Sequence, residues 1–150
     1  GQHGLVCSKV NQSQQTKWFA GTFGTTRAKG DGLYSGKSNS NIIISSHLSI
    51  GDDSNDYAAS LCTELGVVED NLLYGDWYLP SAFELKLISQ NISTINKTAL
   101  DNGGENFIDG FYWSSTEVSN NNAKIVNIND SQESSVLKSS QNPVRAIRSF

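Results

Sequence analysis

A chain of 150 residues is the size of one domain (1–150), and folding at that length buries roughly 68–70% of the surface that the unfolded chain exposes, enough for one sizeable core. Charged residues make up only 17%, against abundant Ser, Asn, Thr, Gln and Gly, a balance that fits an extracellular protein better than a cytosolic enzyme. No apolar run approaches the length of about 18 residues that a membrane span needs, so membrane insertion is not expected. The opening GQHGLV lacks the basic and apolar regions of a signal peptide and reads as a turn entering a strand, so further residues are expected upstream.

The net charge of −4 conceals an asymmetry. Residues 1–50 carry Lys9, Lys17, Arg27, Lys29 and Lys37 against Asp31 alone, a net +4. Residues 51–120 set Lys86 and Lys97 against twelve carboxylates, a net −10, and residues 121–150 return to +2 through Lys124, Lys138, Arg145 and Arg148. Termini of single domains often lie close together, so the expectation is one basic face built from both ends of the chain.

In chain order, β-forming bursts occur at GLVCSKV, KWFAGTF and NIIIS, the last preceded by KSNSN, which reads as a polar loop. The first helix is expected in SNDYAASLCTELG, where Tyr57, Ala58, Leu61, Cys62 and Leu65 recur at helical spacing; Asp52, Asp53 and Asp56 favour its start and Gly66 its stop. Asp76 to Leu79 reads as an extended segment. It delivers the chain into a second helix, where Ser81 and Glu84 form a capping box and Leu85, Ile88 and Ile92 face the core. Further strands are expected at FYWSS, AKIVNI, SSVLK and PVRAIRSF, with DNGGEN and EVSNNN as polar loops. The pattern is α+β, mainly antiparallel, with two principal helices.

Few residues carry a chemical signature. Cys7 and Cys62 are the only cysteines; they form either a disulfide, which for such a loop would stabilise by about 4 kcal/mol, or two separate buried thiols. Their spacing is not that of a metal site, and His3 and His47 have no ligand partners at helical spacing, so no metal or cofactor is expected. Asp52, Ser54 and Asp56 imitate the opening of an EF-hand, but Tyr57 stands where Gly is needed and Thr63 where a bidentate Glu is needed. No Ser lies in a nucleophile elbow, and the sequons at Asn11, Asn91 and Asn96 are expected by chance in so Asn- and Ser-rich a chain.

Three segments carry a resemblance: Trp77, Leu79, Pro80, Ser81, Glu84 and Leu85; Tyr112 to Glu117 in YWSSTE; and Val144, Arg145 and Arg148. In that order they resemble a bacterial extracellular domain family related to the C-type-lectin-like scaffold of formylglycine-generating enzymes. The likeness extends over nearly the whole chain. It implies a C-type-lectin-like fold in which these motifs are mainly framework. More narrowly the chain resembles the C-terminal module of collagen-like bacterial surface adhesins, which implies an upstream Gly-x-y stalk and hence a homotrimer. The calcium-dependent sugar signature of true C-type lectins is missing, with QNP at 141–143 only a fragment of it, and the paired cysteines of formylglycine-generating enzymes are missing too. Neither chemistry is implied.

The expectation is therefore a non-enzymatic adhesin domain at the bacterial cell surface. Sulfated glycosaminoglycans or similar polyanions would bind Lys9, Lys17, Arg27, Lys29, Lys37, Lys124, Lys138, Arg145 and Arg148, with no nucleic-acid partner and no membrane insertion. Lys29, Lys37, Lys124 and Lys138 are expected to be more exposed than Arg148. The alternative is a protein-binding module using the loops at KSNSN and EVSNNN. A glycan-cleaving enzyme would need two convergent carboxylates, and no motif argues for them.

Overall fold

The computed structural model describes all 150 residues. Its elements run β1 (Leu5–Cys7), β2 (Ser13–Thr16), α1 (Ser35–Ser49), α2 (Ala58–Thr63), β3 (Val67–Glu69), β4 (Leu72–Tyr74), α3 (Ala82–Gln90), α4 (Ile92–Asp101), β5 (Phe111–Glu117), β6 (Asn122–Asn127), β7 (Glu133–Leu137), β8 (Asn142–Val144) and β9 (Ile147–Ser149). The fold is α+β and every strand pair is antiparallel. There are four helices, however, where two principal ones were expected.

The two ends of the chain do lie side by side: β1 pairs with β9, setting Val6 opposite Arg148, and β2 pairs with β8. The central sheet has the order β5-β6-β7, with Trp113 opposite Ile125 and Tyr112 opposite Val126. Successive side chains of a strand point to opposite faces, so this sheet divides the core in two. Trp113, Ala123 and Ile125 join Trp18, Ile43 and the buried side of α2 in one cluster. Tyr112 and Val126 join Leu85 and Ile88 of α3, with Phe107 and Ile147, in the other.

The longest helix, α1, falls on residues expected to be loop and strand. Its buried residues, Gly36, Asn39, Ser40, Ile43 and His47, are spaced for one helical face, but only Ile43 is a large apolar side chain. The face is buried through hydrogen bonds instead. Asn39 holds Gly30 and Ser115, and the Ser40 hydroxyl accepts from the Leu79 N–H at 3.0 Å. Intrinsic propensity and apolar periodicity are both overridden by this polar packing.

The other helices track the sequence more closely. α2 is shorter than expected, because Tyr57 is its N-cap and its N–H bonds back to the Ser60 hydroxyl at 2.9 Å. At α3 the capping box forms as expected: the Ser81 hydroxyl accepts from the Glu84 N–H at 3.2 Å and the Ser81 N–H donates to Glu84 Oε2 at 2.8 Å. The helix breaks at Asn91 and resumes as α4. An unexpected hairpin, β3–β4, turns on Asp70 and Asn71, both at positive φ, the conformation that a two-residue type I′ turn demands. KWFAGTF forms no strand. Cys7 and Cys62 are free thiols, the second alternative, and burial pushes the Cys7 thiol up to about 12 and that of Cys62 further.

Candidate functional site

Between β2 and α1 the chain runs from Lys17 to Tyr34 without helix or strand. Irregular segments longer than about 12–15 residues are uncommon in compact domains and are usually functional when ordered. This one is ordered by side chains reaching in from the rest of the fold. Thr22 N–H donates to Asp52 at 2.7 Å, and Gly30 exchanges two bonds with the Asn39 carboxamide.

Two buried glutamates do most of the anchoring. Glu117, at the end of β5, accepts from the N–H groups of Thr26 and Arg27, each at 2.8 Å, from the Thr26 hydroxyl at 3.0 Å and from Lys138 Nζ at 2.7 Å. Its own N–H donates to Ala28 O at 2.8 Å. Glu84 accepts from Tyr34 N–H at 2.8 Å, Gly36 N–H at 3.1 Å, Ser81 N–H at 2.8 Å and the Tyr78 hydroxyl at 3.3 Å. The carboxylate expected to cap α3 thus also receives the first N–H groups of α1, where a negative charge is favoured by the helix dipole. Gly36 permits the approach, since a Cβ there would lie 2.7 Å from Leu79 O and 2.9 Å from Ser81 N.

Burial alone would push the Glu117 carboxyl up, but the Lys138 ammonium and the loop N–H groups outweigh it and hold the carboxyl below its ordinary range. Burial pushes the Lys138 ammonium below its usual value, and Glu117 only partly restores it. Lys138 also donates to Gly24 O at 2.8 Å and lies over the Trp18 ring at 4.6 Å.

The loop so held presents Arg27 and Lys29 to solvent, with Phe23 47% exposed and tilted against Phe19, ring centroids 4.6 Å apart. Arg27 has φ +69 and Tyr34 φ +65, a left-handed conformation unfavourable for residues with a Cβ. Strained residues of this kind persist only where their surroundings over-determine them, and they cluster at functional sites.

The nine cations selected from the sequence separate into distinct environments. Lys138 and Arg145 are each only 1% exposed, which corrects the expectation of a surface role. Arg145 donates from Nε to Asn11 Oδ1 at 2.7 Å and from its terminal nitrogens to the carbonyls of Glu105 and Asn106, and it lies over the Phe107 ring at 4.0 Å. Lys124 is clamped between Asp31 at 2.9 Å and Glu133 at 2.6 Å. Lys37, expected in a loop, is on α1, where it shares Asp76 with Arg148 at 3.7 and 3.0 Å; Arg148 also covers the Tyr74 ring. Lys9, Lys17, Arg27 and Lys29 are exposed and have no carboxylate within 4.0 Å; Lys9 donates to Asn102 O at the end of α4. Among these four, Arg27 and Lys29 stand two residues apart in the sequence. Adjacent termini therefore do not by themselves leave nine free cations: carboxylates of the acidic middle reach Lys37, Lys138, Arg145 and Arg148, and Asp31 and Glu133 hold Lys124.

No helix is long and apolar enough to cross a membrane, and no group of three or more His, Cys, Asp or Glu side chains converges as a metal site would require. Compared with known proteins, the chain matches no family model and no curated protein.

Proposed function

We propose that this is a non-enzymatic, extracellular recognition domain on a C-type-lectin-like scaffold, binding sulfated glycosaminoglycans through the Lys17–Tyr34 loop. The observation that carries the reading is Arg27: an exposed guanidinium free of carboxylates, on a backbone held left-handed by a buried glutamate, two residues from an equally free Lys29. A guanidinium is the side chain best shaped for a planar pair of anionic oxygens, and pinning its backbone lowers the ordering lost on binding. The exposed Phe23 adds an apolar side chain to the same loop. Glu84 and Glu117 are fully occupied as hydrogen-bond acceptors, which leaves neither as a candidate acid or base. The resemblance also supports the reading and narrows to the C-terminal domain of the Legionella collagen-like protein, a surface adhesin. In that setting three protomers would present three such loops to one polyanion and raise avidity without new contacts.

Heparin affinity at low and high salt tests the proposal. Wild-type binding weakens as salt rises, and Arg27→Glu with Lys29→Glu abolishes it, while Lys97→Glu, on the far side of the sequence and paired with Asp101, leaves it unchanged. Retention of heparin by the loop double variant at the wild-type salt concentration would reject the loop as the site.

A second reading, a protein-binding module, draws on a different observation. The loops first considered for it are displaced, since KSNSN lies in α1. The β3–β4 hairpin instead exposes Val68 at 70% and its cross-strand partner Leu73 at 72%. Binding of that kind would survive the loop charge reversals and fail on Leu73→Asp.

A further inference from the structure

A separate concavity of about 400 Å³ lies between β2, α2 and the turn into β8, with Gln15, Lys17, Asp56, Leu61 and Gln141 around it and neither Arg27 nor Lys29 on its wall. Its size falls within the roughly 300–1,000 Å³ of small-molecule sites. Four of its polar side chains are exposed and turned to solvent rather than spent within the protein. The carboxamides of Gln15 and Gln141, the ammonium of Lys17 and the carboxylate of Asp56 form no hydrogen bond or ion pair within the protein, and Lys17 and Asp56 do not pair with each other. Gln12 on the same wall shows the contrast, since its carboxamide is spent on Ser8, Val10 and Ala146.

The groups define what fits. A ligand with net negative charge meets Asp56 and one with net positive charge meets Lys17, so the complement carries no net charge. There is one apolar side chain, Leu61, and no aromatic wall, which leaves nothing to stack a flat ring. The ligand must offer donors to a group that only accepts, acceptors to a group that only donates, and both to the two carboxamides. A hydroxyl both donates and accepts, and a trans acetamido group presents its N–H and C=O on opposite edges, one bond for each of two carboxamides. We infer that this hollow, through Gln15, Lys17, Asp56 and Gln141, binds an uncharged N-acetylated amino sugar unit of a glycan. The site shares only Lys17 with the loop proposed for polyanion capture and involves neither Arg27 nor Lys29, so neither reading needs the other.

Titration of the isotopically labelled 150-residue domain with tri-N-acetylchitotriose, followed by 1H–15N NMR at fixed ionic strength, tests it. The side-chain NH2 signals of Gln15 and Gln141 and the backbone amides of Lys17 and Leu61 shift and saturate in the millimolar range. The affinity is the same at low and high salt and is unaffected by Arg27→Glu with Lys29→Glu. Asp56→Ala and Gln141→Ala, both at exposed positions, each weaken binding by about tenfold while the rest of the spectrum stays superimposable. The assignment is overturned by any of three results: no saturable shift, shifts centred on residues outside the hollow, or wild-type affinity in both variants. Equal shifts produced by glycine, with none from the sugar, would also overturn it in favour of a zwitterion site.

Discussion

Glu117→Gln removes the charge that ties the irregular loop to β5 while nearly preserving side-chain volume. In the wild type the carboxylate receives four donors, and its partner Lys138 is 1% exposed. The substitution leaves that ammonium buried without its counter-ion, a change that typically costs about 3–5 kcal/mol and is larger than the loss of any one neutral hydrogen bond. A domain of this size shifts its Tm by about 2–4 °C for each kcal/mol, so a fall of roughly 6–20 °C is expected. Thermal unfolding followed by circular dichroism measures it, and hydrogen exchange locates it, since the Thr26 and Arg27 amides lose protection before those of the central sheet. Glu117→Leu combined with Lys138→Met should be less destabilising than Glu117→Gln alone, because no unpaired charge then remains buried. A loss below about 1 kcal/mol in Glu117→Gln, with Thr26 and Arg27 still protected, refutes the anchoring role, since even one charged hydrogen bond contributes about 1.5–3 kcal/mol.

Gly36→Ala drives a methyl group against Leu79 O and Ser81 N, and denaturant titration should show a loss of about 1–3 kcal/mol, where a helix-interior Gly→Ala would otherwise stabilise. His47 has Nδ1 2.7 Å from Ile43 O and Nε2 3.3 Å from Ala20 N, so the proton is expected on Nδ1 with Nε2 accepting; 15N NMR showing the proton on Nε2 would contradict the geometry. Stability should also fall in acid. The Glu117 carboxyl is held below its unfolded value of about 4.3, so the unfolded chain takes up its proton first; the contribution is complete above pH about 5 and lost as pH falls through the folded value. Urea midpoints at pH 6 and pH 4 measure that loss, and Glu117→Gln should flatten it. Arg145→Ala, finally, should destabilise rather than reduce heparin affinity, since it strips partners from Asn11, Glu105 and Asn106; normal thermal stability with lost binding would return Arg145 to the surface list.

What the sequence disclosed follows from the range of the interaction involved. The Ser81–Glu84 box spans three residues and was readable, as were β5, β6 and β7, whose β-forming bursts are bounded by turn residues. The first and last strands were readable as strands and their adjacency as a tendency of termini. α1 was not, because the face it buries is built from Gly, Asn, Ser and His, and its periodicity is one of hydrogen-bonding groups rather than apolar ones. KWFAGTF misled for the opposite reason. Trp18 and Phe19 are buried as β-formers often are, but the Trp18 indole N–H ends on Ser114 O and its backbone N–H on Lys138 O, so the segment is fixed without a ladder. The cations could be counted but not paired. Lys124 meets Asp31 across 93 positions and Arg148 meets Asp76 across 72, separations over which local pattern carries no information.

The motif residues themselves divide along the same line. In WYLPSAFEL and YWSSTE the chemically conspicuous members are Glu84 and Glu117, and both end up buried, one at each side of the long loop, with no surface left to meet a ligand. Each fixes backbone N–H groups whose neighbouring side chains stay free, so substitution of Arg27, Lys29 or Phe23 should leave undisturbed the carboxylates that hold the loop in place. A frame that binds backbone is indifferent to side-chain identity, so the hold on the loop does not depend on which side chains it exposes. It also explains why the most recognisable stretches of this sequence say more about how the loop is held than about what it touches.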